Sequence, residues 1–221
     1  MVDIALAHLR GADVVAVLTR APSAGGKTRL FADLVRPFDA TLLEAFLFDT
    51  LDSVRASTGR GVLCIEPASE IARLQSLVPD MPVIPQSSGN LGERMRACMS
   101  SIFEMGARRV ALVGSDLPTL SARVIDSAFG TLDRDPEGLV IGPADDGGYF
   151  LIAAASVPPV FDGIAWSTPS VRAQTIAAAG AAGWRTHLVD SVEDIDTADA
   201  LRRAATTGGA RTRAWILAHL E

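Results

Sequence analysis

The sequence predicts an α/β fold: a single domain with a mainly parallel, mixed sheet flanked by helices. Short apolar runs rich in Val, Ile and Leu alternate with longer segments of helical periodicity. This alternation requires crossover connections, which place parallel strands side by side. The length of 221 residues suits one domain, and 48% hydrophobic residues can fill a sizeable core. Because no repeat or linker interrupts the pattern, we expect one domain over residues 1–221.

The predicted strands are short apolar runs bounded by turn-forming residues. In the predicted strand 109–113 every residue after Arg109 is apolar, which is typical of a strand covered on both faces. The segment at 81–84 is expected to be extended and is bounded by prolines. The predicted strands cover residues 14–19, 61–65, 81–84, 109–113, 139–141, 149–153 and 186–189.

The predicted helices are longer segments with apolar residues three and four positions apart. Between 41 and 55, Leu43, Phe46 and Leu47 recur on one helical face. The helix at 168–182 is expected to start with Thr168 as N-cap and Pro169 as the first helical residue. The predicted helices cover residues 41–55, 68–77, 91–105, 122–132, 168–182, 197–205 and 211–220.

Composition excludes several classes of protein. The net charge is -6 and no segment is strongly basic, which argues against a nucleic-acid partner. No apolar run approaches the roughly 20 residues of a membrane helix. Asp3 and His8 interrupt the apolar stretch of Met1–Arg10, so we expect no signal peptide. Cys64 and Cys98 suggest no disulfide framework, so we expect a cytoplasmic protein.

A segment of small residues and cations follows the first predicted strand. Small residues let backbone N–H groups approach phosphate oxygens, and Lys27 and Arg29 add positive charge. Ligands of α/β sheets bind beyond the carboxyl ends of the strands, where this segment lies. A surface loop with ordinary basic residues is the alternative. The residues expected to bind phosphate here are Ala21, Pro22, Gly25, Gly26, Lys27 and Arg29.

The same segment matches a P-loop in part. Gly26-Lys27-Thr28 resembles the end of that motif, but glycine is needed six positions before the lysine, where Ala21 stands. Pro22 also removes one backbone donor. A P-loop NTPase with Thr28 on Mg²⁺ therefore remains a third alternative.

Two acids could hold a divalent cation. Asp116 directly follows the predicted strand 109–113, and Asp196 directly precedes the predicted helix 197–205. Mg²⁺ prefers oxygen ligands and commonly takes one or two carboxylates together with substrate phosphates. We therefore expect Asp116 and Asp196 to form a two-carboxylate clamp for Mg²⁺ or Mn²⁺. A turn residue at Asp116 and a helix cap at Asp196 are the alternatives.

Two further segments suggest binding residues. The acids and glycines before Tyr149 fit a hairpin turn, or a backbone that lies close to a sugar, with Asp146 as the base. Arg94 in the first turn of a helix opposes the helix dipole, which points to an anionic ligand or to a salt bridge with Glu93 or a more distant acid. The expected acceptor-binding residues are Asp145, Asp146, Gly147, Gly148, Tyr149 and Trp166, and the further nucleotide-binding residues are Gly89 and Arg94.

As a set, these motifs resemble the bacterial small glycosyltransferases of the arsenosugar-biosynthesis type. They are similar, more distantly, to 2-phospho-lactate guanylyltransferase and to the molybdenum-cofactor nucleotidyltransferases. The resemblance runs from about residue 14 to residue 201. One residue separates Gly25 from Lys27 where the family usually has two, and Gly114 stands where an Asp-x-Asp motif would begin. The motifs are Ala21-Pro22-x-x-Gly25, Lys27-Thr28-Arg29-Leu30, Gln86, Gly89-x-Leu91-Gly92-Glu93-Arg94-Met95, Gly114-x-Asp116-x-Pro118, Gly142-Pro143-Ala144-x-Asp146-Gly147-Gly148-Tyr149 and Trp166-Ser167-Thr168.

The resemblance implies a Rossmann-like GT-A domain, the fold of nucleotide-diphospho-sugar transferases. It implies that Lys27 and Arg29 neighbour the phosphates, that Asp116 binds the metal, and that Asp196 matches a metal-binding acid before a helix. The expected activity is metal-dependent glycosyl transfer from a nucleotide-diphospho-sugar to a small acceptor, with Lys27, Asp116 and Asp146 as catalytic residues. Nucleotidyl transfer from an NTP to a small phosphorylated acceptor, with pyrophosphate release, is the alternative. A homodimer is compatible with the sequence.

Overall fold

The described part of the chain, residues 8–220 of a computed structural model, forms one seven-stranded sheet. Most of Met1–Arg10, on which the signal-peptide expectation rests, lies outside these residues. Every predicted strand is confirmed within two residues at either end. The strands are β1 (Asp13–Arg20), β2 (Arg60–Glu66), β3 (Val83–Pro85), β4 (Arg109–Gly114), β5 (Leu139–Pro143), β6 (Tyr149–Ala154) and β7 (Thr186–Leu188).

The sheet is mixed, with the spatial order β3-β2-β1-β4-β6-β5-β7. β1 pairs in parallel with both β2 and β4, and β6 runs antiparallel to its neighbours β4 and β5. The carboxyl ends of β1, β2 and β4 therefore meet at one edge of the sheet. Their following loops lie where ligands bind in folds of this class.

Helices cover both faces of the sheet. Val15 and Val17 of β1 pack into one buried apolar cluster, and Val14 and Ala16 pack into a second cluster. Because successive side chains of a strand point to opposite faces, the two clusters lie on opposite sides of the sheet. The helices are α1 (Thr28–Asp33), α2 (Ala40–Ala56), α3 (Ile71–Leu77), α4 (Leu91–Glu104), α5 (Ala122–Arg134), α6 (Val171–Ala181), α7 (Ala198–Thr207) and α8 (Ala210–His219).

A third apolar cluster brings the last two helices onto the first loop. Leu30 and Phe31 of α1 pack with Ile195 and Leu201 around α7, and with Trp215 of α8. This packing holds the segment that contains Asp194 and Asp196 beside the segment that contains Lys27, although about 170 residues separate them in sequence.

The helix expected at 168–182 begins later than predicted, and its predicted cap is wrong. Thr168 donates its hydroxyl to the carbonyl of Ala165, and α6 begins at Val171 after Ser170, whose side chain forms no cap hydrogen bond. The expected helix at 68–77 opens with a 3₁₀ turn over Ala68–Glu70, and α1 was not predicted. Among residues 8–220, no helix is both long and apolar enough to cross a membrane.

Candidate functional site

The loop after β1 has an unusual backbone that directs Lys27 inward. Gly25 and Gly26 have φ values of 89° and 149°, and Lys27 itself has a φ of 48°. A left-handed conformation is costly for a residue with a side chain, and such strain often marks functional sites. The turn places Lys27 at the start of α1, with a largely buried side chain. Lys27 is also the chain's single lysine, a sequence signal that points to this position.

The Lys27 ammonium lies between two carboxylates. Its Nζ is 2.5 Å from Oδ2 of Asp116 and 2.6 Å from Oδ1 of Asp196. The exposed guanidinium of Arg29 lies 3.3 Å from the second oxygen of Asp196. Asp116 follows β4 and Asp196 precedes α7, so the structure brings together the two acids predicted to form a clamp.

The charges of this cluster shift the pKa of Lys27 upward. Burial alone would lower the pKa of the ammonium, but the charge and hydrogen bonds of Asp116 and Asp196 outweigh that effect. Lys27 is therefore a fixed positive charge over the range in which most enzymes work.

Asp194 belongs to the same cluster and was not among the predicted site residues. Burial, together with the nearby charges of Asp116, Asp146 and Asp196, raises its pKa to about 7 against the opposing effect of Lys27. The sequence signal was its place two residues before Asp196, with the fully buried Ile195 between them. Asp194 and Asp196 point to the same side of the chain only if the segment before α7 is extended. The sequence alone does not determine that conformation.

Asp194→Asn is expected to stabilise the metal-free protein at pH 8 but not at pH 5. In the folded chain Asp194 keeps its proton up to a pKa of about 7, whereas in the unfolded chain it loses the proton above its ordinary pKa of 3.8. The contribution of Asp194 to the free energy of unfolding therefore falls as pH rises from about 4 to about 7. Asparagine cannot ionise and removes that loss. Thermal unfolding in EDTA should show a melting temperature raised by ~3–6 °C at pH 8. An equal change at both pH values would contradict the assignment.

Three adjoining cavities surround the end of β1. The Lys27 cavity, of about 410 Å³, is lined by Gly25, Gly26, Lys27, Arg29, Asp116 and Asp196, among others. The Trp166 cavity, of about 500 Å³, includes Arg29, Asp146, Gly148, Tyr149, Trp166 and Asp194 in its lining. The Gln86 cavity, of about 290 Å³, is lined by Leu18, Thr19, Arg20, Glu66, Gln86, Leu91 and Arg94. All three share Leu18, so one extended ligand could pass from cavity to cavity.

Ala21 does not line the Lys27 cavity, although it was predicted to bind phosphate. Its side chain is buried, and its backbone N–H donates to the carbonyl of Glu66 at 2.7 Å. Pro22 does line the cavity, at the start of a 3₁₀ turn. The backbone of Ala21 therefore ties the loop to β2 and has no N–H to offer a ligand.

The acids and glycines before Tyr149 form the turn that joins the antiparallel strands β5 and β6. Oδ1 of Asp146 accepts the Gly148 N–H at 2.8 Å, which fixes the carboxylate at the wall of the Trp166 cavity. Asp145 is exposed and Gly147 packs outside the lining. Burial raises the pKa of Tyr149 to about 12, so its phenol stays protonated.

Close packing against two glycines positions Trp166 and the turn that carries Asp146. A Cβ on Gly92 would lie 2.5 Å from the Trp166 ring, so glycine at this point of α4 makes room for the indole. Gly147 has a φ of 89°, and a Cβ there would lie 2.1 Å from the carbonyl oxygen of Pro169. The segment before α6 thus packs directly on the turn that carries Asp146.

Gly147→Ala is expected to lower the free energy of unfolding by about 3 kcal/mol or more, because strain and a backbone clash add. Gly183→Ala is the matched control, since Gly183 has a φ of 81° but no atom near its added Cβ. The control should lose only ~1–2 kcal/mol from backbone strain. Urea denaturation of both variants measures the difference. Equal losses would show that the contact with Pro169 contributes nothing.

Arg94 is engaged by the protein in the way the salt-bridge alternative predicted. Its guanidinium pairs with Glu66 and also donates to Oε1 of Gln86 at 3.2 Å. The Gln86 amide in turn donates to the carbonyls of Thr19 and Cys64. Gly89 precedes the capping box of α4 and lies outside the lining of the Gln86 cavity. Glu66 was missed by the sequence analysis, since only the pairing of β1 with β2 places it there.

Comparisons with known proteins agree with this architecture. The chain superposes on a protein from Desulfovibrio desulfuricans G20 that is provisionally described as a nucleotide-diphospho-sugar transferase, with a TM-score of 0.84, 26% identity, and coverage of 94% and 96% of the two chains. It is 28% identical to the 3-phospho-D-glycerate guanylyltransferase of Phenylobacterium zucineum (strain HLK1) over 65% of this chain and 67% of that protein. Rv0371c of Mycobacterium tuberculosis H37Rv, solved in complex with manganese, shares the fold at a TM-score of 0.52 and 20% identity, with coverage of 87% and 97%.

The fold and these similarities define a transferase with the architecture of the nucleotide-diphospho-sugar transferases, as the sequence predicted. The chain belongs to the family DUF2064, described as uncharacterized protein conserved in bacteria, which it matches over residues 50–168. That match includes Asp116, Asp146 and Trp166, whereas Lys27 and Asp196 lie outside it. The arsenosugar-type label stays a prediction, and the comparisons give no support to the P-loop alternative.

Proposed function

We propose that this chain is a glycosyltransferase that moves a sugar from a nucleotide-diphospho-sugar to a neutral acceptor bearing a hydroxyl group. One observation carries the proposal: the charged Lys27 cavity adjoins a cavity of mixed polarity, with aromatic residues in its lining and little positive charge. The two cavities share Leu18, Arg29 and Gly114. A donor diphosphate in the first cavity would therefore place its sugar at the entrance of the second.

The charge of the Trp166 cavity favours a neutral acceptor. Among the described residues that line it, Arg29 is the single cation, and that guanidinium already lies beside Asp196. Asp146 and Asp194 contribute acidic groups to the same wall. A phosphorylated carboxylic acid would need several cationic donors to replace its hydration. A sugar or another polyol needs hydroxyl partners and an apolar face, which this cavity offers.

The chemistry of the donor set fits a divalent cation. The carboxylates of Asp116 and Asp196 converge on the Lys27 ammonium, so a divalent cation held by both would displace that ammonium toward the donor phosphates. Within residues 8–220, no group of three or more His, Cys, Asp or Glu side chains is arranged to hold a metal ion. Two carboxylates with donor phosphates and water are nevertheless the set that Mg²⁺ commonly takes. When bound, such a cation would offset the charge of the diphosphate.

The residues of the chain have separable roles in this reaction. Lys27 and Arg29 stabilise the negative charge that grows on the departing diphosphate. The bond from the anomeric carbon to the diphosphate oxygen breaks, the bond to the acceptor oxygen forms, and Asp146 accepts the hydroxyl proton. Trp166 and Tyr149 hold the acceptor and keep water from the donor.

Nucleotidyl transfer is the second candidate, favoured by the similarity to a guanylyltransferase. In that reaction an acceptor phosphate attacks the α-phosphate of an NTP, and pyrophosphate leaves. Lys27 and Arg29 could stabilise pyrophosphate as well as a nucleoside diphosphate. The two reactions differ in the charge of the acceptor. The charge of the Trp166 cavity is therefore the feature that distinguishes them.

Product analysis distinguishes the candidates. The full chain with Mn²⁺ would be given nucleotide-sugars of all common bases with a panel of neutral hydroxyl acceptors. In parallel it would be given each NTP with 3-phosphoglycerate. We expect release of a nucleoside diphosphate from a nucleotide-sugar, increased by an acceptor, and no pyrophosphate. Pyrophosphate from an NTP without turnover of any nucleotide-sugar would overturn the proposal in favour of the second candidate.

A further inference from the structure

The Gln86 cavity lies beside the Lys27 cavity, with which it shares Leu18, Thr19 and Arg20. If the phosphates of a nucleotide occupy the Lys27 cavity, as the proposed function requires, its base can reach the Gln86 cavity across the end of β1. Leu91 is 39% exposed, although it is a large apolar residue, and it supplies an apolar surface for a planar ring. The position of this cavity therefore suits a nucleobase.

Two groups in this cavity keep unused hydrogen-bonding capacity. Arg94 donates to Glu66 and Gln86 through Nη1 alone, and across residues 8–220 its Nη2 has no protein acceptor. Glu66 accepts through Oε2, and its Oε1 has no protein donor within the same residues. Gln86 differs, because its amide is taken up by the carbonyls of Thr19 and Cys64 and by Arg94. Glu66 and Arg94 are thus the groups able to contact a base edge.

We infer that the Glu66–Arg94 pair selects guanine, so that the donor is a guanine nucleotide. Guanine carries two adjacent donors, N1–H and the 2-amino group, next to the acceptor O6. Glu66 can take both donors, one on Oε1 and one on the remaining lone pair of Oε2, and Arg94 can donate to O6 through Nη2. Adenine would instead turn its N1 lone pair toward the carboxylate, and uracil and cytosine offer fewer donors at this edge. Selection would therefore combine attraction for guanine with repulsion of adenine.

The inference rests on the proposed binding of a nucleotide but not on which transfer reaction follows. Binding of GDP, IDP, ADP, CDP and UDP to the full chain with Mn²⁺ would be measured by calorimetry. Inosine lacks only the 2-amino group of guanine. We expect GDP to bind about 10- to 100-fold more tightly than ADP, with IDP between them.

Glu66→Gln tests the residue itself. The variant keeps its size and can still accept from Arg94, but it should reduce the preference for GDP over IDP and ADP to less than about threefold. Glu104→Gln, at the exposed end of α4, is the control and should keep the wild-type order. Because the GDP, IDP and ADP series uses the wild-type chain, the inference does not depend on the variant folding.

The outcomes separate this inference from the proposed function. Equal affinity for all five diphosphates would overturn guanine selection and leave nucleotide binding intact. Failure of every diphosphate to bind with Mn²⁺ would overturn both. A preference for GDP that survives Glu66→Gln unchanged would remove Glu66 from the role given to it here.

Discussion

Asp116→Asn is expected to lower metal-dependent turnover about 1000-fold, the largest effect of any single substitution in this chain. The variant keeps the size of the side chain and removes one of two carboxylates that converge on Lys27. A divalent cation contributes several kcal/mol to the stabilisation of developing charge, and each 1.36 kcal/mol is tenfold in rate. Mn²⁺ affinity, measured by calorimetry in the presence of a nucleoside diphosphate, should fall with turnover.

Asp199→Asn provides the matched control for this substitution. Asp199 lies three residues after Asp196, is largely exposed, and pairs with Arg202 on the surface of α7. Its loss should leave both metal affinity and turnover within about twofold of wild type, since exposed ion pairs contribute ~0–1 kcal/mol. Unchanged Mn²⁺ affinity in Asp116→Asn would remove Asp116 from the metal site.

Lys27→Met is expected to lower turnover about 100- to 1000-fold, the range seen when one donor to a developing anion is removed. Methionine preserves much of the side-chain volume but leaves Asp116 and Asp196 without the cation that neutralises them. Donor binding should weaken as well, because the phosphates would face two carboxylates without Lys27. Initial rates at saturating and limiting donor separate these two effects.

Lys27→Arg tests whether charge alone is sufficient. Lysine is a compact point charge, whereas the guanidinium is a broad, planar fork that fits a narrow gap between two carboxylates less well. We expect Lys27→Arg to recover only part of the loss, and thermal melts to show that both variants fold. Full activity in Lys27→Met would refute a role for this ammonium in holding phosphates.

Local sequence patterns predicted most of the fold. The apolar run after Arg109 correctly indicated a strand covered on both faces, since Ala111 and Val113 enter one cluster and Val110 and Leu112 the other. The predicted start of α6 was wrong because Thr168 and Pro169 form a locally plausible helix cap and first turn. The chain instead uses Thr168 to close a turn on Ala165 and packs Pro169 against Gly147, and both contacts depend on tertiary structure.

The candidate site was predictable where it follows strand ends and hidden where it depends on long-range pairing. Lys27 and Asp116 could be assigned together because sheet topology brings the segments after strands to one edge. Asp196 was assigned from its place before a predicted helix and from the resemblance to transferases with an acid there. The partnership of Arg94 with Glu66 depends on the packing of α4 beside the end of β2, which no local pattern encodes. The perturbed Asp194 required its burial near three other acids, which no local motif encodes.

The central claim is that donor phosphates and a divalent cation meet between Lys27, Asp116 and Asp196. Its most direct test is a crystal structure with Mn²⁺ and a nucleoside diphosphate, with the metal located by anomalous scattering. We expect the anomalous peak within coordinating distance of Asp116 and Asp196, and phosphate oxygens within hydrogen-bonding distance of Lys27. A diphosphate bound away from the loop after β1, with manganese remote from both carboxylates, would contradict the claim.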